Sequence, residues 1–196
     1  MIIIEKILNF IFKKRAIHHM NSVNREPSFI TYDNARTVLL LFESDFMEKN
    51  PTIRNIIRQL HHDGKKVSAW GFSDKKEVNS AILPGFRILN KKQTDIFGQP
   101  EKSFLDELEH REYDLLIDLT VKPYLITLYL AVYAHASFKV GIHKTDFNIY
   151  DFVLDLEGIM TPPENSDPDV PFEHPVDETF IYNQVIFYLK SIQSKD

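Results

Sequence analysis

Side chains able to move protons or hold ligands gather just after short apolar runs. Glu43, Ser44 and Asp45 follow TVLLLF, Ser73 and Asp74 close KVSAWGF, Asp118, Thr120 and Lys122 end or follow YDLLID, and His143 and Lys144, with Asp146 beyond, follow FKVGI. Carboxylates facing an imidazole and two amines would supply general acid–base groups or hold a divalent cation. The same residues also have a structural reading. Loops at strand ends are polar in soluble α/β proteins, Asp74 is placed to cap a helix, and Asp118 is placed to accept from backbone amides of the next loop.

The elements that position these residues follow from periodicity. Residues 37–42 (TVLLLF) are continuously apolar, as expected for a strand buried on both faces. Residues 51–62 read as a helix, with Asn50 as N-cap, Pro51 at the first position, Gly64 at the end and Ile53, Ile56, Ile57 and Leu60 as the buried stripe. Further strands are expected at 66–72, 86–89, 113–119, 138–142 and 150–156, with helices at 74–82, 101–110, 123–135 and 177–192. The helix at 123–135 is apolar nearly all round, and Tyr129 and Tyr133, four residues apart on it, read as core. Residues 161–176 hold five prolines and several acids and read as a loop.

Strands alternating with helices imply an α/β fold: a doubly wound, Rossmann-like, mostly parallel sheet of five or six strands with helices on both faces. Residues 25–160 would form this layer, 1–24 an amphipathic helix with the start of a linker, and 161–196 an acidic loop and a helix on the same domain. Ligands of such sheets sit at the carboxyl ends of the strands, which is where the polar groups above fall.

Several chemistries are excluded. The chain has no cysteine, so it forms no disulfide, thiolate zinc site or iron–sulfur cluster. The turn after residues 37–42 lacks both G-x-G-x-x-G and G-x-x-x-x-G-K-[ST], which removes the glycine amides that cradle a pyrophosphate. Ser44 is flanked by Glu43 and Asp45, which would oppose an alkoxide nucleophile. The pairs His18–His19 and His61–His62 match no ligand spacing, because adjacent helical residues diverge by about 100°. No metal and no cofactor is expected.

The net charge is −5, from 23 basic and 28 acidic residues, which argues against nucleic-acid binding. Residues 1–36 carry +3 (six basic, three acidic) and residues 161–196 carry −5 (two basic, seven acidic). Residues 2–15 read as an amphipathic helix with Ile3, Ile4, Ile7, Leu8, Phe10 and Ile11 on one face, followed by Lys13, Lys14 and Arg15. The basic residues follow the apolar run, and no small-residue cleavage site succeeds it, so a signal peptide is not expected; the run is too short and polar to span a bilayer. This helix would pack on its own domain, join a second copy or an unknown protein partner, or lie on a membrane with its basic residues near anionic headgroups. Residues 20–35 show no period and read as a linker. The location expected is cytoplasmic, including the inner face of the membrane.

Residues 37–72 and 111–144 together resemble the N-terminal half of the heptosyltransferase-type (GT-B) glycosyltransferases. The likeness rests on DLLIDL at 114–119 and ASFKVGI at 136–142, and covers about residues 37–144. It implies the Rossmann-like half that handles the acceptor. The glycine-containing turn of those enzymes is replaced here by Glu43-Ser44-Asp45-Phe46, and about 40 residues after the sheet are too few for a nucleotide-sugar domain. The whole chain also resembles an uncharacterised bacterial family of short stand-alone proteins. Three functions are carried forward: a non-catalytic binding or interaction module, which is preferred; a small enzyme for a sugar-like or phosphorylated ligand; and a peripheral membrane adaptor acting through residues 1–15.

Overall fold

The computed structural model describes residues 2–23, 25–44, 51–74, 86–142, 145–160 and 176–192. Its centre is a six-stranded, all-parallel sheet of β1 (Thr37–Glu43), β2 (Lys66–Ser73), β3 (Phe86–Asn90), β4 (Tyr113–Asp118), β5 (Ala136–Ile142) and β6 (Phe152–Leu154). The order is β3-β2-β1-β4-β5-β6. The period of two sorts β1 cleanly between layers. Val38, Leu40 and Phe42 join one core with α2 (Pro51–His62) and α6 (Glu178–Ser191); Leu39 and Leu41 join the other with α3 (Lys102–His110) and α4 (Leu125–Tyr133). A four-residue α5 (Glu157–Met160), not expected from periodicity, follows β6.

The local signals hold at α2 and α6. Pro51 opens α2, and Gly64, at φ +76°, leaves its end in a conformation that a Cβ disfavours. Asp177 caps α6 through Phe180 N. The helix expected at 74–82 and the cap Asn50 fall on residues outside those described, as does most of the loop at 161–176.

The N-terminal reading needs correction. Helix α1 runs Ile2–Val23, eight residues past the expected end. It docks on α4, yet not by the expected face. Phe12 and Ala16 are the buried residues, with Phe12 edge-on to Tyr129 at 4.8 Å, and His19 stacks on Tyr133 at 3.8 Å. Residues after α1 are tied down rather than loose: Arg25 closes on Asp151, donates to the carbonyls of Ala136 (2.6 Å) and Ser137 (3.0 Å), and Ser28 N donates to Ser137 O. A clasp made with residues more than 100 positions away leaves no local trace in sequence.

Among the described residues two lysines are buried, and each ends on backbone carbonyls. Lys65 Nζ donates to Tyr32 O and Ala35 O. Lys139 Nζ donates to Ala131 O (2.7 Å) and Val132 O (3.2 Å) at the α4 C-terminus, where unsatisfied carbonyls suit a donor. Burial, reinforced by the Arg25 charge and partly offset by Asp151, lowers the Lys139 amine from 10.5 to about 7. The unfolded chain therefore holds this proton between pH 7 and 10.5 when the native chain has lost it, so stability rises with pH across that window. Chemical denaturation between about pH 7 and 9.5 should show a rise approaching 1.4 kcal/mol per pH unit. Lys139→Met should leave the shallower rise due to Lys65, whose own burial lowers it. An unchanged slope in the variant would mean that Lys139 stays charged.

Candidate functional site

In a doubly wound sheet the crevice opens where strand order reverses, here between β1 and β4. Glu43, at the end of β1, accepts from the amides of Val121 and Lys122, both at 2.8 Å, and its own amide donates to the Glu178 carboxylate at 3.0 Å. It thereby fixes the loop after β4 and the start of α6. Asp118, fully buried at the end of β4, accepts from Thr120 N (2.8 Å) and the Thr120 hydroxyl (2.6 Å) through one oxygen, and from the Tyr150 hydroxyl through the other. Burial raises the Tyr150 hydroxyl well above its ordinary range, and the Asp118 charge adds to this, so the phenol stays a neutral donor.

A glycine makes this contact sterically possible. The Tyr150 ring lies against Gly141 of β5, where a Cβ would come within 2.8 Å of it. The expected backbone-amide role of Asp118 is therefore observed, and the structure adds a second anchor that sequence spacing could not supply.

Glu43, Ser44, Ser73, Asp118, Thr120 and Lys122 all reach the carboxyl edge, as expected. Ser44, Ser73, Asp118 and Thr120 are buried there, and Lys122 is exposed. The proposed partners Asp45, His143 and Lys144 lie outside the described residues. Through these bonds Glu43 and Asp118 accept backbone and hydroxyl hydrogens, which braces the loops. Among the described residues no cluster of three or more His, Asp or Glu stands ready to hold a metal ion.

A cleft of 710 Å³ lies on the α4 side of the same edge, between α1, the turn after β3 and the start of α4. Leu8, Phe72, Tyr124 and Leu125 give it apolar walls, and Lys91 and Asp95 lie on its rim. Phe72 and Tyr124 meet at 4.7 Å between ring centres. Sequence reasoning missed it because its walls come from four distant segments. The turn itself is locked: Asp95 accepts from Phe97 N and Gln99 N and pairs with Arg15 at 2.9 Å. Burial opposes the Asp95 charge, but these donors outweigh it and hold the carboxyl below its usual range.

The second feature is the outer side of α1. Ile3 (74% exposed), Ile4, Ile7, Phe10 (69%) and Ile17 face outward, and Lys6 and Lys14 are exposed beside them. Leu8 and Ile11, expected on this face, are half-buried at its margin. Two of the basic residues expected to face headgroups are engaged elsewhere: Arg15 holds Asp95 and Gln99, and Lys13 pairs with Asp146. The Lys13 pair is partly exposed and so contributes little to stability.

Strand order and parallel register define a Rossmann-type α/β protein with an added N-terminal helix. The sequence model of a family of unknown function (DUF6913) matches residues 5–160, and the chain belongs to that family. The matched span includes nearly all of α1 and every strand. No curated protein and no solved structure matches the chain, so the heptosyltransferase likeness finds no support there.

Tyr150→Phe tests the bracing role of the edge. Removing one donor to the buried Asp118 carboxylate should cost about 1.5–3 kcal/mol in denaturant unfolding. A change below half a kcal/mol would show that the bond does not brace the fold.

Proposed function

We propose that the protein is a non-catalytic docking module in which the Rossmann-type layer carries α1 as a fixed amphipathic foot for an anionic membrane surface. The observation that carries this reading is the outward stripe of α1. Ile3, Ile7, Phe10, Lys14 and Ile17 recur at three- and four-residue steps on the side opposite Phe12 and Ala16. Lysines border this stripe, and the only carboxylate of α1, Glu5, instead lines the cleft. Apolar side chains between lysines suit the boundary between headgroups and acyl chains, where each lysine adds about 1 kcal/mol of attraction to anionic lipid. Pairing two copies through this stripe would bring its lysines near one another, which disfavours self-association. No described helix is long and apolar enough to cross a membrane, so the contact would be peripheral.

The bracing role of Glu43 and Asp118 supports the non-catalytic part of the reading. A second reading, a sugar-like or phosphorylated ligand at the strand ends, draws on the cleft, whose aromatic walls and Lys91–Asp95 rim suit a polar ring. Derivation from a glycosyltransferase acceptor half belongs with that second reading. A cytoplasmic location on the inner membrane face goes with the first.

Co-sedimentation tests the docking. The full chain should pellet with vesicles of phosphatidylglycerol and phosphatidylcholine, and much less with phosphatidylcholine alone or in high salt. Phe10→Asp, at an exposed position, should weaken binding at least tenfold and leave the melting temperature within about 2 °C. Wild-type protein that stays in the supernatant overturns the reading. A dimer in solution that the same substitution disperses would assign the stripe to self-association instead.

A further inference from the structure

A smaller cavity of 190 Å³ lies away from both features above, under the C-terminal half of α1. Met20, Val23, Val132 and Ile149 contribute apolar wall; His19, Arg25, Glu109, His135 and Lys139 contribute the polar groups. Lys139 is 4% exposed and reaches this cavity from the middle of β5. Its amine is held from one side by Ala131 O and Val132 O, a geometry that fixes the nitrogen without neutralising it by a carboxylate. The nearest carboxylate, Asp151, accepts the Lys139 backbone amide and both terminal nitrogens of Arg25.

We propose that this cavity is a covalent binding site for small uncharged aldehydes or ketones, captured as an imine on Lys139. The reading goes beyond membrane docking and requires no turnover. Two hydrogens of a neutral amine satisfy the two carbonyls, which leaves the nitrogen lone pair directed away from them. An ordinary surface lysine is almost wholly protonated at neutral pH, whereas burial lowers Lys139 to about 7, which makes its uncharged form available there. The lone pair forms the C–N bond at the carbonyl carbon, and a proton passes from nitrogen to oxygen to give a carbinolamine. The C–O bond then breaks, the remaining proton on nitrogen leaves with the hydroxide as water, and C=N remains, with no change in oxidation state. His19 lines the same cavity. Burial lowers its pKa, which favours the uncharged imidazole beside the amine's cavity.

The lining selects the ligand. Arg25 is closed on Asp151 and so is not left over for an anion, and the Glu109 carboxylate beside the uncharged His19 disfavours an anion further. The volume suits a molecule of a few carbons, and with Arg25 closed on Asp151 no arginine is left to hold a phosphate.

Reductive trapping tests this on the full native chain. Propanal with cyanoborohydride at pH 7.5, followed by digestion and mass spectrometry, should alkylate Lys139 roughly tenfold faster than exposed Lys14 or Lys102. Pyridoxal 5′-phosphate under the same conditions should label exposed lysines and spare Lys139. Lys139→Arg, which keeps donors for Ala131 and Val132, should remove the fast site with the fold retained by circular dichroism. Lys139 labelled no faster than the exposed lysines overturns the proposal. Equal labelling of Lys139 by both aldehydes also overturns it, because access would then come from local unfolding rather than through the cavity.

Discussion

Helix α4 has no side that tolerates water, and covering it sets the position of much else. From Ile126 to Val132 every residue is buried. A helix on an ordinary two-sided α/β sheet shows one face to solvent. Here the sheet covers one side of α4 and α1 covers another, through Phe12, Ala16 and the His19–Tyr133 stack. The fold therefore has an extra layer on one face. That layer must be held laterally as well as by apolar contact. Arg15 to Asp95, His19 beside Glu109 and the Arg25 clasp on Asp151 do this at three separate points. Each is modest alone, and together they fix the rotation of α1 about its axis.

Fixing that rotation determines which residues are left outside. A helix that must cover α4 with one side and still carries isoleucines on the other ends with an apolar stripe in water. Free amphipathic peptides fold as they meet a membrane and lose ordering entropy at that step. Helix α1 is already formed and oriented, so its stripe would meet a surface without that cost. The cost falls instead on the unbound protein, which exposes Ile3, Ile4, Ile7 and Phe10. Such exposure is a reason to expect a partner surface, and the lysines beside the stripe favour an anionic one.

Much of the sheet was legible because buried parallel strands read as apolar runs with polar residues at both ends. TVLLLF, KVSAWGF and YDLLID each became a strand within a residue or two of the expected bounds. The strand-end residues followed, since strand direction and order place them at one edge. The orientation of α1 was not legible. With apolar residues on two sides of the helix, periodicity picks out the richer side, here the exposed one, while the docked side is marked only by Phe12 and Ala16 among polar neighbours. Lys139 was equally hidden. In ASFKVGI it reads as an outward position of a half-exposed strand, and only α4, packed over β5, turns that position inward.

The strand-end acids show why residue type and place do not settle role. Glu43 and Asp118 sit where a doubly wound fold holds its ligands, yet their described contacts are the amides and hydroxyls of the loops around them. The sequence of the first turn lacks the glycines that let backbone amides close on an anion, and the Glu43 and Asp118 carboxylates take up the amides of neighbouring loops. The edge thereby becomes a brace between β1, β4, β5 and α6. The concavities of the fold lie elsewhere, in the hollows along α1 and α4, where the third layer creates spaces that a two-sided sheet lacks.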